Sequence, residues 1–253
     1  MQIISEKTDS NKSEPSQDES FSAKEFFNRQ WELYQKVLNN NYMGHQEIYD
    51  VLHKLLAQWS KPFTMLDLGC GDASFTSRAL LNTQITEYTG IDVSTAALVD
   101  AEQNIALIGC ERKLVSADCW QFTNDLVQYG TQKFDVVLIS FALHHLQPEE
   151  KERVINNIRT LLNPHGVFIL IDIIRREKED RESYIQRYLG NVKRDWSLID
   201  PQEYTMVENH ISSSDFPETQ SWFQTSSQKL GFINFTPVYC DHLDTTQLLC
   251  FYR

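Results

Sequence analysis

The chain has 253 residues, of which 41% are apolar and 23% charged, the profile of an ordinary globular protein that can bury a core without disulfide or metal staples. Lys and Arg number 23 against 35 Asp and Glu, a net charge of −12 that argues against a broad phosphate-tracking surface, so no nucleic-acid partner is expected. No apolar run approaches the ~20 residues that cross a bilayer, and the first residues hold no hydrophobic signal core, so a cytoplasmic protein without membrane attachment is expected.

Residues 1–20 are rich in Ser, Glu, Lys, Asp and Asn and read as a tail that cannot repay its ordering entropy. Residues 21–60 read as an N-terminal helical cap. Phe26, Phe27, Leu33, Tyr34, Val37 and Leu38 recur at helical spacing, Gly44 breaks the run, and Ile48, Val51, Leu52, Leu55 and Leu56 form a second face. From residue 61 to 253 a single domain is expected. "FTMLDLG", "EYTGIDVS", "KLVSADCW", "FDVVLISFAL" and "VFILIDII" read as five strands. Helices are expected over "ASFTSRALL", "TAALVDAEQNIALIG" and the segment from Pro148 to Leu162, with Pro164–Gly166 as its stop. Alternating strands and helices imply a parallel sheet covered on both sides. Residues 175–220 break the rhythm and read as a lid insertion, helical around Tyr184–Leu189 and Pro201–His210 and loop-like after that. "GFINFTPVYC" and "TTQLLCFYR" read as two final strands joined by a turn at "DHLD". The expected fold is therefore α/β: a doubly wound, mostly parallel seven-stranded sheet with an antiparallel C-terminal strand pair.

The five cysteines (Cys70, Cys110, Cys119, Cys240 and Cys250) show no C-x-x-C pairing, so neither a disulfide scaffold nor a metal site is expected. The informative segment is "LDLGCGDAS", Leu66 to Ser74. Gly69 and Gly71 fall between a strand and a helix, where glycine permits a tight turn and close approach of a cofactor to the backbone. Asp92 ends the next strand, where an acid can accept two hydrogen bonds from a ribose diol. Both features also suit an NAD-dependent oxidoreductase. That fingerprint, however, needs glycine or alanine three places after its second glycine, and this chain has Ser74; Asp72 also disfavours a diphosphate at the helix start.

With "GIDVS", "SADCW", "FDVVLISFALHHL" and "LLNPHGVFILID" following in order, the chain resembles the class I, Rossmann-like S-adenosylmethionine-dependent methyltransferases over roughly residues 60–175. Ala73 stands where that family often has a third glycine. The resemblance implies S-adenosyl-L-methionine as cofactor. It implies that Asp67 orients the glycine loop or meets the methionine amino group, and that Gly69 and Gly71 pass close to the amino-acid part and ribose. Asp92 would hold the ribose hydroxyls, with Val93 on the adenine, while Asp118 and Cys119 would meet the adenine amine and ring edge. Ser140 and Phe141 would line the methionine portion.

A sulfonium is already a good leaving group, so the enzyme must chiefly align the acceptor. A general base is needed only for an acceptor that arrives protonated. Candidates at the expected carboxyl edge of the sheet are His144, His145 and Asp172, with His210 and Asp215 in the lid. Trp31, Tyr34, Tyr42, Tyr184, Arg187, Tyr188 and Trp196 are candidates for lining the acceptor site or closing it against water. Arg181 or Arg187 could also recognise an anionic acceptor. The expected function is direct in-line methyl transfer to a small-molecule acceptor. An NAD-dependent oxidoreductase and a non-catalytic S-adenosylmethionine-binding module are the alternatives.

Overall fold

The computed structural model describes residues 33–253. Two compact units divide the chain between Asn40 and Asn41. In the first, the described residues 33–39 are helical. The expected tail over 1–20 lies outside the described residues. The second unit, Asn41–Arg253, takes in the helix that the sequence reading grouped with a cap over 21–60.

That helix, α1 (His45–Ala57), opens at Gly44, whose φ of 68° is left-handed. Then follow β1 (Phe63–Leu68), α2 (Ser74–Leu80), β2 (Ile85–Asp92), α3 (Thr95–Ala106), β3 (Glu111–Ser116), α4 (Cys119–Tyr129), β4 (Phe134–Ser140), a single 3₁₀ turn (Leu143–His145), α5 (Pro148–Leu161) and β5 (Leu162–Arg175). The lid is α6 (Arg181–Asp195) and α7 (Pro201–Ser214); the chain ends with β6 (Glu218–Thr219), α8 (Gln220–Lys229), β7 (Asn234–Cys240) and β8 (Thr246–Tyr252).

The strands pair in the order β3-β2-β1-β4-β5-β8-β7, with β8 antiparallel to both neighbours. The expected seven strands are present. An eighth, β6, adds two residues parallel to the end of β5, Ile174 opposite Glu218 and Arg175 opposite Thr219. Period-2 alternation assigns the two faces of the sheet. Met65, Val136, Leu138, Ile169 and Ile171 point to one side with Ile48, Leu52 and Leu56 of α1. Leu66, Leu68, Val137, Ile139, Phe168 and Leu170 point to the other with Val154, Ile155 and Ile158 of α5. Two helices outrun the sequence reading: α4 and α8 lie where no helix was expected. Pro164–Gly166 lies inside β5, where the register with β4 shifts, rather than after a helix.

The order of strands reverses between β1 and β4. Ligands in open α/β sheets bind outside the carboxyl ends of strands at such a switch point. The loop after β1 and the 3₁₀ turn after β4 therefore face the same crevice. No helix among the described residues is long and apolar enough to cross a membrane.

Candidate active site

The loop after β1 takes three left-handed residues in alternation: Gly69 at φ 77°, Gly71 at 54° and Ala73 at 51°. A Cβ on Gly69 would stand 2.8 Å from that of Ala142, so glycine is required there both for conformation and for space. Asp92 holds the loop from the end of β2: one carboxylate oxygen accepts from the Gly71 amide and the other from the Ser94 amide, each at 2.8 Å. Val93 beside it is 70% exposed. Asp118 caps α4 by accepting from the Gln121 amide at 2.9 Å, and Cys119 follows it half-buried.

Asp67 is 1% exposed. Tyr88 donates its hydroxyl to Oδ2 at 2.8 Å, while Oδ1 is buried without a hydrogen-bond partner. Burial pushes its carboxyl up to about 7, against hydrogen bonds from Tyr88 and Thr76 that favour the anion. An orphaned carboxylate oxygen beneath a glycine loop fits the ammonium group of a methionine moiety. The residues present thus suit S-adenosylmethionine. Proton linkage makes this testable. Below pH 7 the free protein holds a proton on Asp67 that an ammonium ligand must displace, so affinity climbs as pH rises toward 7 and levels off above it. S-adenosylhomocysteine titrated by calorimetry should bind roughly tenfold more weakly at about pH 6 than at about pH 8. Asp67→Asn should bind weakly at both values; a wild-type affinity flat across this range would refute the role.

Above this loop sits an aromatic group that sequence reasoning missed. His45 lies 5.0 Å from Phe75 and 4.7 Å from Phe141, ring centroid to ring centroid, and Tyr49 lies 5.3 Å from Phe75. Tyr49 donates its hydroxyl to Ser140 Oγ at 2.8 Å, tying α1 to the end of β4. Burial lowers His45 to about 4, so its ring is neutral at pH 7. The only signal available was the helix start after Gly44, which says nothing of what the helix covers.

The second half of the site gathers the sequence's catalytic candidates. Asp172, near the end of β5, accepts from the His144 backbone at 3.0 Å, and its Oδ1 lies 2.5 Å from His144 Nδ1. The Phe216 amide donates to the His144 carbonyl at 2.8 Å and so lays the lid's end against the 3₁₀ turn. This brings Asp215 in: its Oδ1 is 3.6 Å from His144 Nε2, 3.4 Å from His145 Nδ1 and 3.9 Å from His210 Nε2. His210 belongs to α7, which runs on through Ser214 where a loop was expected after His210. Lys151, fully buried on α5, donates to the Phe216 carbonyl and lies 3.1 Å from Glu218, which Arg175 also meets at 3.4 Å.

The lid candidates divide. Tyr42 stacks on Trp196 at 5.2 Å and 6°, and its hydroxyl accepts from the Leu198 amide. Tyr184 is fully buried, its hydroxyl without a hydrogen bond, 5.8 Å from the ring of Tyr188. Arg187 is committed to a fork on Glu179 and to the carbonyls of Leu243 and Asp244. Arg181 donates to the carbonyls of Asp215 and Ser212 and lies over Phe216. Both arginines brace the lid rather than face an open space. Trp31 lies outside the described residues, and Tyr34 belongs to the first compact unit. A cavity of about 160 Å³ is lined by Tyr42, Glu47, Tyr188, Trp196, Tyr239 and Asp241, among others.

Comparison with known proteins agrees with this geometry. A family model described as a methyltransferase domain matches residues 66–168. The chain is 24% identical over 168 residues, 65% of this chain and 68% of the other, to carboxy-S-adenosyl-L-methionine synthase 1 of Yersinia pseudotuberculosis serotype IB (strain PB1/+). To carboxy-S-adenosyl-L-methionine synthase of Shewanella baltica (strain OS155 / ATCC BAA-1091) it is 21% identical over 224 residues, 81% of this chain and 90% of the other. The crystal structure of magnesium protoporphyrin IX methyltransferase from Synechocystis PCC 6803, with bound SAH, shares the fold at a TM-score of 0.59 and 14% identity, covering 90% of this chain and 94% of that one. The matched segment runs from the glycine loop's strand into β5, and it sets aside the oxidoreductase alternative. Residues 66–168 thus match a methyltransferase domain, on the fold of S-adenosylmethionine-dependent enzymes, and this supports S-adenosylmethionine as the cofactor.

Proposed function

We propose that this enzyme transfers the methyl group to a small molecule bound in the cavity walled by the Tyr42–Trp196 stack and Tyr188. The observation that carries the reading is the cavity's position. Its walls come from the start of α1, from α6 and from the β7–β8 turn. The last of these abuts the carboxyl end of β5, where the Ile174 amide donates to the Thr245 carbonyl. The cofactor supplies an electrophilic methyl carbon on a sulfonium. Asp67, Gly69, Gly71 and Asp92 hold its amino-acid and ribose parts, Val93, Asp118 and Cys119 the adenine, and Ser140 and Phe141 the methionine side. The aromatic walls orient the acceptor and exclude water, and alignment of this kind supplies ~7–11 kcal/mol of a displacement barrier. Tyr188 on the cavity wall has its phenol pKa raised by burial and, after that, by the field of the Asp215 carboxylate.

The names of the Yersinia and Shewanella relatives describe synthesis of a carboxylated cofactor. Among the described residues the cavity is lined by Glu47 and Asp241 and by no Lys or Arg, which opposes an added carboxylate and favours a neutral or cationic acceptor. The test uses S-adenosylmethionine with an isotopically labelled methyl group, incubated with the enzyme and separated small-molecule, protein and nucleic-acid fractions of a cell extract. Label should pass to the small-molecule fraction with release of S-adenosylhomocysteine, and Trp196→Ala should lose transfer while still binding that product. Label in a macromolecule, a cofactor that gains the mass of a carboxyl group, or no turnover with any fraction would each overturn the reading.

A further inference from the structure

Asp215 presents an unusual arrangement. It is 5% exposed, and its Oδ1 is buried without a hydrogen-bond partner although three imidazoles surround it. The three nitrogen-to-oxygen separations, 3.4, 3.6 and 3.9 Å, are longer than the ~2.7–3.2 Å of an ordinary hydrogen bond. They are close to another distance. Two donors on a tetrahedral ion with bonds of ~2.0–2.1 Å lie roughly 3.3–3.4 Å apart. One donor atom from each of His144, His145 and Asp215 falls within 4.8 Å of the others.

The orientation of His144 strengthens the case. Asp172 takes its Nδ1 edge at 2.5 Å and its backbone amide at 3.0 Å, which leaves Nε2 aimed at Asp215. Asp172 at the Nδ1 edge leaves Nε2 facing the unpartnered Asp215 Oδ1, a nitrogen and a carboxylate oxygen that a cation between them would join. A carboxylate behind the far nitrogen of a ligating histidine is also the support that metal centres use to fix the tautomer and raise ligand basicity. The two sides of the cluster come from different parts of the chain. His144 and His145 ride the turn after β4; His210 and Asp215 ride α7 and its end.

We propose that His144 Nε2, His145 Nδ1 and Asp215 Oδ1, with His210 Nε2 as a fourth donor, form a site for a late first-row divalent metal ion such as Zn²⁺. Imidazole and carboxylate donors within 4.8 Å of one another suit that class of ion over Mg²⁺ or Ca²⁺, which take more oxygen ligands. His145 Nδ1 also lies 3.2 Å from the Ser214 carbonyl, so the ion displaces the proton shared there. The ion fastens the lid to the sheet edge. This is independent of the acceptor's identity and of methyl transfer itself.

The test titrates untagged, chelator-treated protein with Co²⁺ under an absorption spectrometer and with Zn²⁺ in a calorimeter, at neutral pH and without cofactor. One ion per chain should bind, with the intense visible bands of a four-coordinate Co²⁺ site. Asp215→Asn should weaken Zn²⁺ binding by at least about 100-fold, and Asp172→Asn, which removes only the support, by about 10- to 100-fold. His210→Gln changes an exposed side chain that the fold does not need, and it should shift the Co²⁺ bands toward higher coordination by water. Asp92→Ala should bind the ion like the wild type. Absence of uptake, equal affinity in all variants, or a sulfur-to-metal charge-transfer band that puts the ion on a thiol such as the exposed Cys240 would overturn the proposal.

Discussion

Replacing Lys151 by alanine should remove about 3–5 kcal/mol of stability. For a chain of this size that lowers Tm by about 10 °C, at roughly 2–4 °C per kcal/mol. The ammonium group is fully buried between the Phe216 carbonyl and Glu218, and burial holds its pKa below the usual lysine value despite the Glu218 charge. Deleting it strands a carboxylate that is itself buried, with only Arg175 at 3.4 Å as compensation. A desolvated anion without its partner costs more than the pair contributes when intact. The corollary is sharp. Lys151→Met with Glu218→Leu replaces both charges by apolar groups of similar volume and should recover most of the loss. Thermal unfolding of the single and double variants decides the matter. An unchanged Tm in Lys151→Ala, or a double variant less stable than the single, would contradict the assignment. Because Lys151 also holds Phe216, the single variant should loosen the lid's end and raise hydrogen exchange around Asp215 and Phe216.

The second large effect falls on the cofactor. Asp92→Ala should weaken S-adenosylhomocysteine binding by roughly two to three orders of magnitude. Hydrogen bonds to a charged group contribute ~1.5–3 kcal/mol each, and the proposed function gives Asp92 two ribose hydroxyls to hold. The same carboxylate also fixes the amides of Gly71 and Ser94, so its loss frees the glycine loop from the end of β2. Asp92→Asn keeps one acceptor oxygen and should fall between. Calorimetry on the three proteins checks the order. Wild-type affinity in Asp92→Ala would mean that the ribose is held elsewhere and that the crevice between β1 and β4 has been misassigned.

The glycine loop and the acid that ends β2 were legible because their constraints are local. A glycine must sit where φ is positive and where the next Cβ is 2.8 Å away, and an acid must end the neighbouring strand. These requirements write themselves into consecutive residues. The two helices that sequence reading passed over leave weak traces. In α4 the apolar residues Cys119, Trp120, Phe122 and Leu126 pack on the core only half-buried and the fully buried residue is Thr123, while α8 buries Ser226 and Ser227 beside Phe223, so polar residues interrupt the apolar signal in both. The lid's second helix was cut short for a related reason. Ser212, Ser213 and Ser214 look like loop residues, yet an Asp200 cap and the Glu203 side chain start a helix that carries them along. The His–Asp cluster was foreseen only as separate names. His144, Asp172 and Asp215 become neighbours through the Phe216 amide on the His144 carbonyl and through Lys151 reaching across to the same residue. Contacts spanning tens of residues depend on how the lid folds back, and no local pattern encodes that.

The short strand β6 has a consequence for the evolution and engineering of this scaffold. By pairing Ile174 and Arg175 with Glu218 and Thr219, it brings the chain back beside the point at which it left β5, about 5 Å away across one strand spacing. Everything from residue 176 to 217 is thus an excursion that departs and re-enters at a single doorway. Its length affects closure entropy only logarithmically, and the strands of the cofactor crevice do not register how long it is. Such an excursion can be shortened, recoded or exchanged for another while β1, β2 and β4 keep their geometry. On the proposed function, the part of the acceptor wall that this excursion supplies can therefore be exchanged as a cassette, provided that the contacts of Phe216 with His144 and Lys151 are kept.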